Sequence, residues 1–130
     1  MVLRGSCLCG SVGYGMELPF TDFANCHCSR CRKATGSSFA ANAAVTPAAF
    51  RCVHSEAEVA RFDLPDARSF ATAFRRCCGS PMAHPTRSGR EIIVPAGSFD
   101  DDQRATPSRH VFWSSRAQRS SPADGLPKSS

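Results

Sequence analysis

NCHCSRCRKATGSSF, residues 25–39, decides how the rest of this chain is read. It places Cys26, Cys28 and Cys31 within six positions and follows the last of them with Arg32 and Lys33. In an extended strand alternate side chains face the same way, so Cys26 and Cys28 can converge on one ion while His27 points to the opposite face. The two-residue spacer before Cys31 lets a turn swing a third sulfur to the same point, as in zinc knuckles. Ser29–Thr35 is free of Gly and Pro and predicts one or two helical turns, stopped at Gly36 by a left-handed cap.

A structural zinc has four protein ligands, whereas a catalytic zinc keeps three and leaves its fourth position to water or substrate. No fourth ligand is evident beside these cysteines, so the segment reads as an open, catalytic type of zinc site. Three thiolates on a divalent ion leave one negative charge, which Arg30, Arg32 and Lys33 partly offset. The basic run also suits a carboxylate-bearing ligand, which makes Arg32 and Lys33 candidate substrate contacts. The plainer reading of these charges is a solvated face.

The chain has 130 residues, 42% of them hydrophobic, enough for one compact core and too few for two domains. Its first residues lack the apolar run of about 7–15 residues of a secretory leader, and nowhere do about 18 apolar residues run together. A soluble, cytoplasmic protein is expected, and there eight cysteines serve as metal ligands or reactive thiols rather than disulfides. The net charge of +5 is spread along the chain with no dense block and no interleaved aromatics, so neither nucleic acid nor a membrane is an expected partner.

Around the cysteines the pattern is of short strands, at residues 11–16, 39–45, 56–62, 69–74, 91–94 and 110–112. Val12, Tyr14 and Met16 alternate on one side of the first, and Phe70, Thr72 and Phe74 on one side of the fourth. Nine glycines and nine prolines punctuate these runs, and no long window carries a helical apolar face. The result is a mainly β domain over residues 1–114, followed by a polar Ser/Pro/Arg-rich tail, 115–130, expected to wrap loosely over the surface or stay mobile.

A second pair, Cys7 and Cys9, repeats the alternate spacing. Two ligands cannot hold a structural zinc, and the other clustered cysteines are Cys77 and Cys78 in FRRCCGSP. Together they would staple the N-terminal strand to the region near residue 78. Cys52 reads as a small buried hydrophobe, and His54, His84 and His110 as surface or satisfied residues. Phe20, Phe23, Phe39 and Phe99 read as core.

GSCLCGSV at 5–12, CHCSRCRKATGSSFAA at 26–41, FRRCCGSP at 74–81, VPAGSFDD at 94–101 and DGLP at 124–127 together resemble the glutathione-dependent formaldehyde-activating enzyme family, which includes centromere protein V. The resemblance implies a zinc-stapled β-sheet fold of the Mss4-like, β-tent type. It implies a catalytic zinc on Cys26, Cys28 and Cys31, and a structural zinc whose ligands include Cys7, Cys9 and Cys78. The implied activity is a carbon-sulfur lyase type of reaction, condensing glutathione with formaldehyde to S-hydroxymethylglutathione, with glutathione or another small thiol as partner. Relatives with other substrates are expected, because a fold and its zinc sites outlast a change of substrate.

Two departures stand out. Arg75 lies where the family's first cysteine of Phe-Cys-x-x-Cys-Gly belongs, and a guanidinium offers no lone pair to a metal. Cys77 substitutes, a water completes the shell, or the site is weak; Cys77 is the favoured substitute. Arg119 stands where the family has a tryptophan before DGLP. Ser98 and Asp100 are worth testing because their segment matches relatives.

Two other functions compete. A noncatalytic zinc module would recruit His54 or His84 as a fourth ligand, and a thiol redox enzyme of the methionine sulfoxide reductase type would use Cys77 or Cys78 as nucleophile.

Overall fold

The computed structural model describes residues 2–53, 56–101 and 106–130. Ten strands and one helix follow in the order β1 (Val2–Ser6), β2 (Gly13–Glu17), β3 (Asp22–Cys26), α1 (Ser29–Thr35), β4 (Ala40–Val45), β5 (Phe50–Cys52), β6 (Val59–Asp63), β7 (Ala71–Arg75), β8 (His84–Pro85), β9 (Ile92–Pro95) and β10 (Arg109–Val111). The fold is mainly β, as the sequence predicts, in a small single domain. No helix among the described residues is long and apolar enough to cross a membrane.

β1, β2 and β5 form one antiparallel sheet, β10-β3-β4-β9-β8 a second, and β6 and β7 a separate hairpin. All pairings are antiparallel except β10 on β3. Leu3, Tyr14 and Met16 from the first sheet, with Val12 just ahead of β2, meet Val45, Ile92 and Val94 from the second in one core, closed by Met82 and Cys7. The alternation of Val12, Tyr14 and Met16 thus builds that core. Phe20, Phe23 and Phe99 pack ring against ring at one end, with centroids 5.3 to 6.3 Å apart.

In β7, Ala73 and Arg75 are buried and Phe74 is exposed. A one-residue change of facing moves every side chain of a strand to the other side, and here the inward side is the one that carries Arg75 to a thiol cluster. β3, β5 and β8 were not among the expected strands.

Tyr14 lies fully inside, and its hydroxyl is 2.6 Å from Ser98 Oγ. Ser98 donates its own hydrogen to the Pro95 carbonyl at 2.7 Å, so Tyr14 is the donor in the pair. Burial pushes the phenol up from 10.0 to about 12. The folded state therefore holds a proton that the unfolded chain releases, and the stability this group carries is whole below pH 10 and lost as pH rises toward 12. Wild-type protein should lose about 2–3 kcal/mol through Tyr14 over that range. Tyr14→Phe should flatten this part of the alkaline limb in urea titrations, and equal slopes for the two proteins would contradict the assignment.

Candidate metal centre and its surroundings

β3 delivers Cys26 at its last residue, and the chain then turns into α1 with Cys28 as its N-cap. Cys28 has extended backbone angles, φ −64° and ψ 153°, and its sulfur accepts the Cys31 N–H at 3.3 Å. α1 spans Ser29–Thr35, as expected, and ends at Gly36, whose φ of 68° is the left-handed conformation that glycine adopts without penalty. The first helical turn brings the Cys31 sulfur to 3.2 Å from that of Cys26. All three sulfurs lie within 4.8 Å of one another.

This spacing fits an ion. Tetrahedral zinc with Zn–S near 2.3 Å separates its sulfurs by about 3.8 Å. A disulfide requires about 2.05 Å, and all eight cysteines are unbridged. Even without metal the sulfurs share protons unequally. The Cys31 thiol donates to Cys26, which brings Cys26 down to about 6 against its burial, and the same bond holds Cys31 well above the usual thiol range. The cluster already favours a thiolate, the form that binds metal. No described Cys, His, Asp or Glu joins it as a fourth ligand: His84 lies elsewhere, bonded to the Met82 carbonyl at 3.3 Å, and His54 is outside the described residues.

Arg32 and Lys33 lie on α1, in its last turn. The Arg32 Nε donates to the His27 carbonyl at 3.4 Å, which keeps its guanidinium beside the cysteine loop, and Lys33 is exposed.

His27 faces away from the sulfurs, completely buried under Phe39, His110 and Trp113. Its Nε2 is 2.8 Å from His110 Nδ1, and His110 Nε2 is 2.9 Å from Asp124 Oδ2. The carboxylate takes the proton of His110 Nε2, which leaves His110 Nδ1 to accept from His27 Nε2–H. His27 Nδ1 is then an acceptor, and it has no partner among the described residues. Burial, followed by His110, pushes the His27 ring below its ordinary value, in keeping with a neutral imidazole.

The tail that supplies Asp124 does not lie loosely here. It runs parallel to β10, with His110 N–H donating to Pro127 O at 2.8 Å and Ser129 N–H to His110 O at 3.1 Å. Lys128 Nζ sits 5.1 Å above the Trp113 ring.

The second set of thiols also converges. Cys7, Cys9 and Cys78 lie within 4.8 Å of one another, with 3.6 Å between the sulfurs of Cys7 and Cys9. Cys78 is lowered to about 6, first by its hydrogen bond with Ser80 and then by the Ser80 backbone. Cys77 is exposed and is not part of this group. Cys52 is partly buried against the core. Ser98 and Asp100 are engaged with Tyr14 and with Ser6, the latter at 2.7 Å.

Two clefts lie away from Cys26, Cys28 and Cys31. One of about 500 Å³ lies along β1, β2 and β5, and one of about 680 Å³ is walled by Cys7, Cys9, Ser80 and Asp100. In the Cys26 cluster two of the three cysteines are half-buried and Cys31 is buried.

Fold and sites together define a small β domain with two thiol clusters of metal-ligating geometry, both compatible with zinc. The family model of glutathione-dependent formaldehyde-activating enzyme matches residues 2–115, and the chain belongs to that family. A crystal structure of a Rhodobacter sphaeroides protein is similar at 27% identity and a TM-score of 0.60, over 78% of this chain and 91% of that one. No curated protein matches the chain.

Sequence reasoning missed the His27, His110 and Asp124 chain and the setting of Arg75. His110 lies 83 residues from His27, and DGLP was read for resemblance only. The signal available was a histidine forced inward by the alternation of Cys26 and Cys28.

Proposed function

We propose that the protein is a zinc-dependent carbon-sulfur lyase that forms and splits thiol–aldehyde adducts, with glutathione and formaldehyde as the substrate pair. The observation that carries this reading is the convergence of Cys26, Cys28 and Cys31, with no fourth ligand among the described residues. Zinc held by these sulfurs would bind an incoming thiol as its thiolate or polarise the aldehyde oxygen. In the reaction a sulfur–carbon bond forms, the carbonyl π bond breaks, and the thiol proton passes to the oxygen.

The chain's own residues support this use of the site. The Cys31 N–H holds Cys28, and the buried His27 fixes the backbone between Cys26 and Cys28 from beneath. Arg32 and Lys33 supply positive charge for a glutathione carboxylate.

The test is exchange NMR on glutathione and formaldehyde with zinc-loaded protein. The expected result is faster formation and breakdown of S-hydroxymethylglutathione in proportion to protein and to zinc. Rates equal to those of buffer with the same zinc would refute the reading.

A further inference from the structure

Arg75 stands at the second thiol cluster, and its setting says what it does there. It is 7% exposed in spite of its charge. Two of its N–H groups donate to Ser11 Oγ, at 3.0 and 2.8 Å, and Nη1 donates to Glu58 Oε2 at 2.7 Å. Ser11 Oγ lies 3.1 Å from Cys9 Sγ. With its lone pairs taken by the guanidinium, the Ser11 hydroxyl has its hydrogen left for the Cys9 sulfur, which favours thiolate.

Cys77 does not replace the missing ligand. The turn after β7 is closed by Gly79 N–H to Arg75 O at 2.7 Å and Arg75 N–H to Ser80 O at 2.9 Å, with Gly79 at φ 73°. That turn points Cys78 in and Cys77 out, and swinging Cys77 inward breaks it.

The three sulfurs fit zinc by the same spacing as the first cluster, and a fourth Cys, His, Asp or Glu is lacking among the described residues. Three thiolates on a divalent ion leave one negative charge, and the buried guanidinium, shared with the half-exposed Glu58 carboxylate, offsets part of it. Cys9 is exposed, and Cys7 and Cys9 form part of the wall of the 680 Å³ cleft.

We propose that Cys7, Cys9 and Cys78 form a second three-thiolate zinc site, in which Arg75 supplies charge instead of a ligand and the fourth position takes an exchangeable small donor, water or a small thiol. Where a four-cysteine site would be a closed staple, this one gives up its ion readily.

The experiment extracts zinc from the full chain with the chromogenic chelator 4-(2-pyridylazo)resorcinol and compares wild type, Arg75→Cys and Cys77→Ser. Wild type should carry one zinc per cluster. Arg75→Cys, which restores a fourth sulfur, should move half of the zinc into a phase slower by about 10–100-fold, a span seen for changes around metal sites, and leave the other half at its wild-type rate. Cys77→Ser should leave both stoichiometry and rates unchanged.

Loss of zinc in Cys77→Ser would overturn the proposal, because Cys77 would then be the fourth ligand. So would a Cys9→Ser protein with wild-type zinc content, or a folded Arg75→Cys protein with unchanged extraction. If Arg75→Cys fails to fold, cadmium-113 NMR of the wild type decides. A second resonance at a shift typical of three sulfurs supports the open site, and one typical of four sulfurs overturns it.

Discussion

Cys28→Ser is expected to abolish one zinc per chain and to lower thiol–aldehyde turnover by at least about 100-fold, which is about 2.7 kcal/mol of transition-state stabilisation. The substitution is informative because it separates two duties of one residue. Cys28 is both a sulfur of the cluster and the N-cap of α1, where it accepts the Cys31 N–H at 3.3 Å. Serine is among the best N-caps, so the helix keeps its start. A serine hydroxyl does not ionise near neutral pH and is a poor partner for zinc, so the ligand is lost while the fold remains. Circular dichroism should therefore be unchanged while bound zinc and kcat/KM both fall. Wild-type values for zinc and turnover together would sink the assignment of this cluster as the working site.

The second large effect is on stability and needs no metal. Gly5 lies in β1 directly opposite Tyr14 in the register of the hairpin with β2. A Cβ there would fall on the Tyr14 hydroxyl and Cζ and within 2.6 Å of the Ser98 carbonyl oxygen. The ring cannot move aside. It is 2% exposed, its hydroxyl is bonded to Ser98, and its face stacks on Phe50 at 5.4 Å. Overpacking of this kind costs about 3 kcal/mol, which for a chain of this size lowers Tm by about 10 °C. Gly15→Ala is the control, since its nearest neighbour would be Val2 Cγ1 at an ordinary 3.4 Å. Equal melting temperatures for the two variants would refute the clash.

What was legible in the sequence was what short-range geometry determines. The Cys-x-Cys-x-x-Cys spacing brought three sulfurs together through one strand end and one turn, and α1 was readable from its lack of Gly and Pro up to Gly36. The strand at Val12, Tyr14 and Met16 was readable from its period. β3 was not, because DFANC carries Asp and Asn and is a strand only through its pairing with β4 and β10. Facing in β7 was not legible either: Phe74 is the larger apolar group, yet Arg75 faces inward because Ser11 and Glu58 satisfy its donors there. The tail looked unstructured from its Ser and Pro content. Asp124 and the backbone around Pro127 instead pair with His110, a partner that local composition does not disclose.

The two thiol clusters also differ in when they can exist. Cys26, Cys28 and Cys31 leave the ribosome almost together and can capture an ion at once, whereas Cys7 and Cys9 must wait for Cys78. At about 5–20 residues per second that wait is roughly 4–14 s, in which two N-terminal thiols are open to oxidants and to competing soft metals. Nascent chains starved of zinc or exposed to peroxide are thus expected to fail first at this late-closing cluster, however sound the early one is.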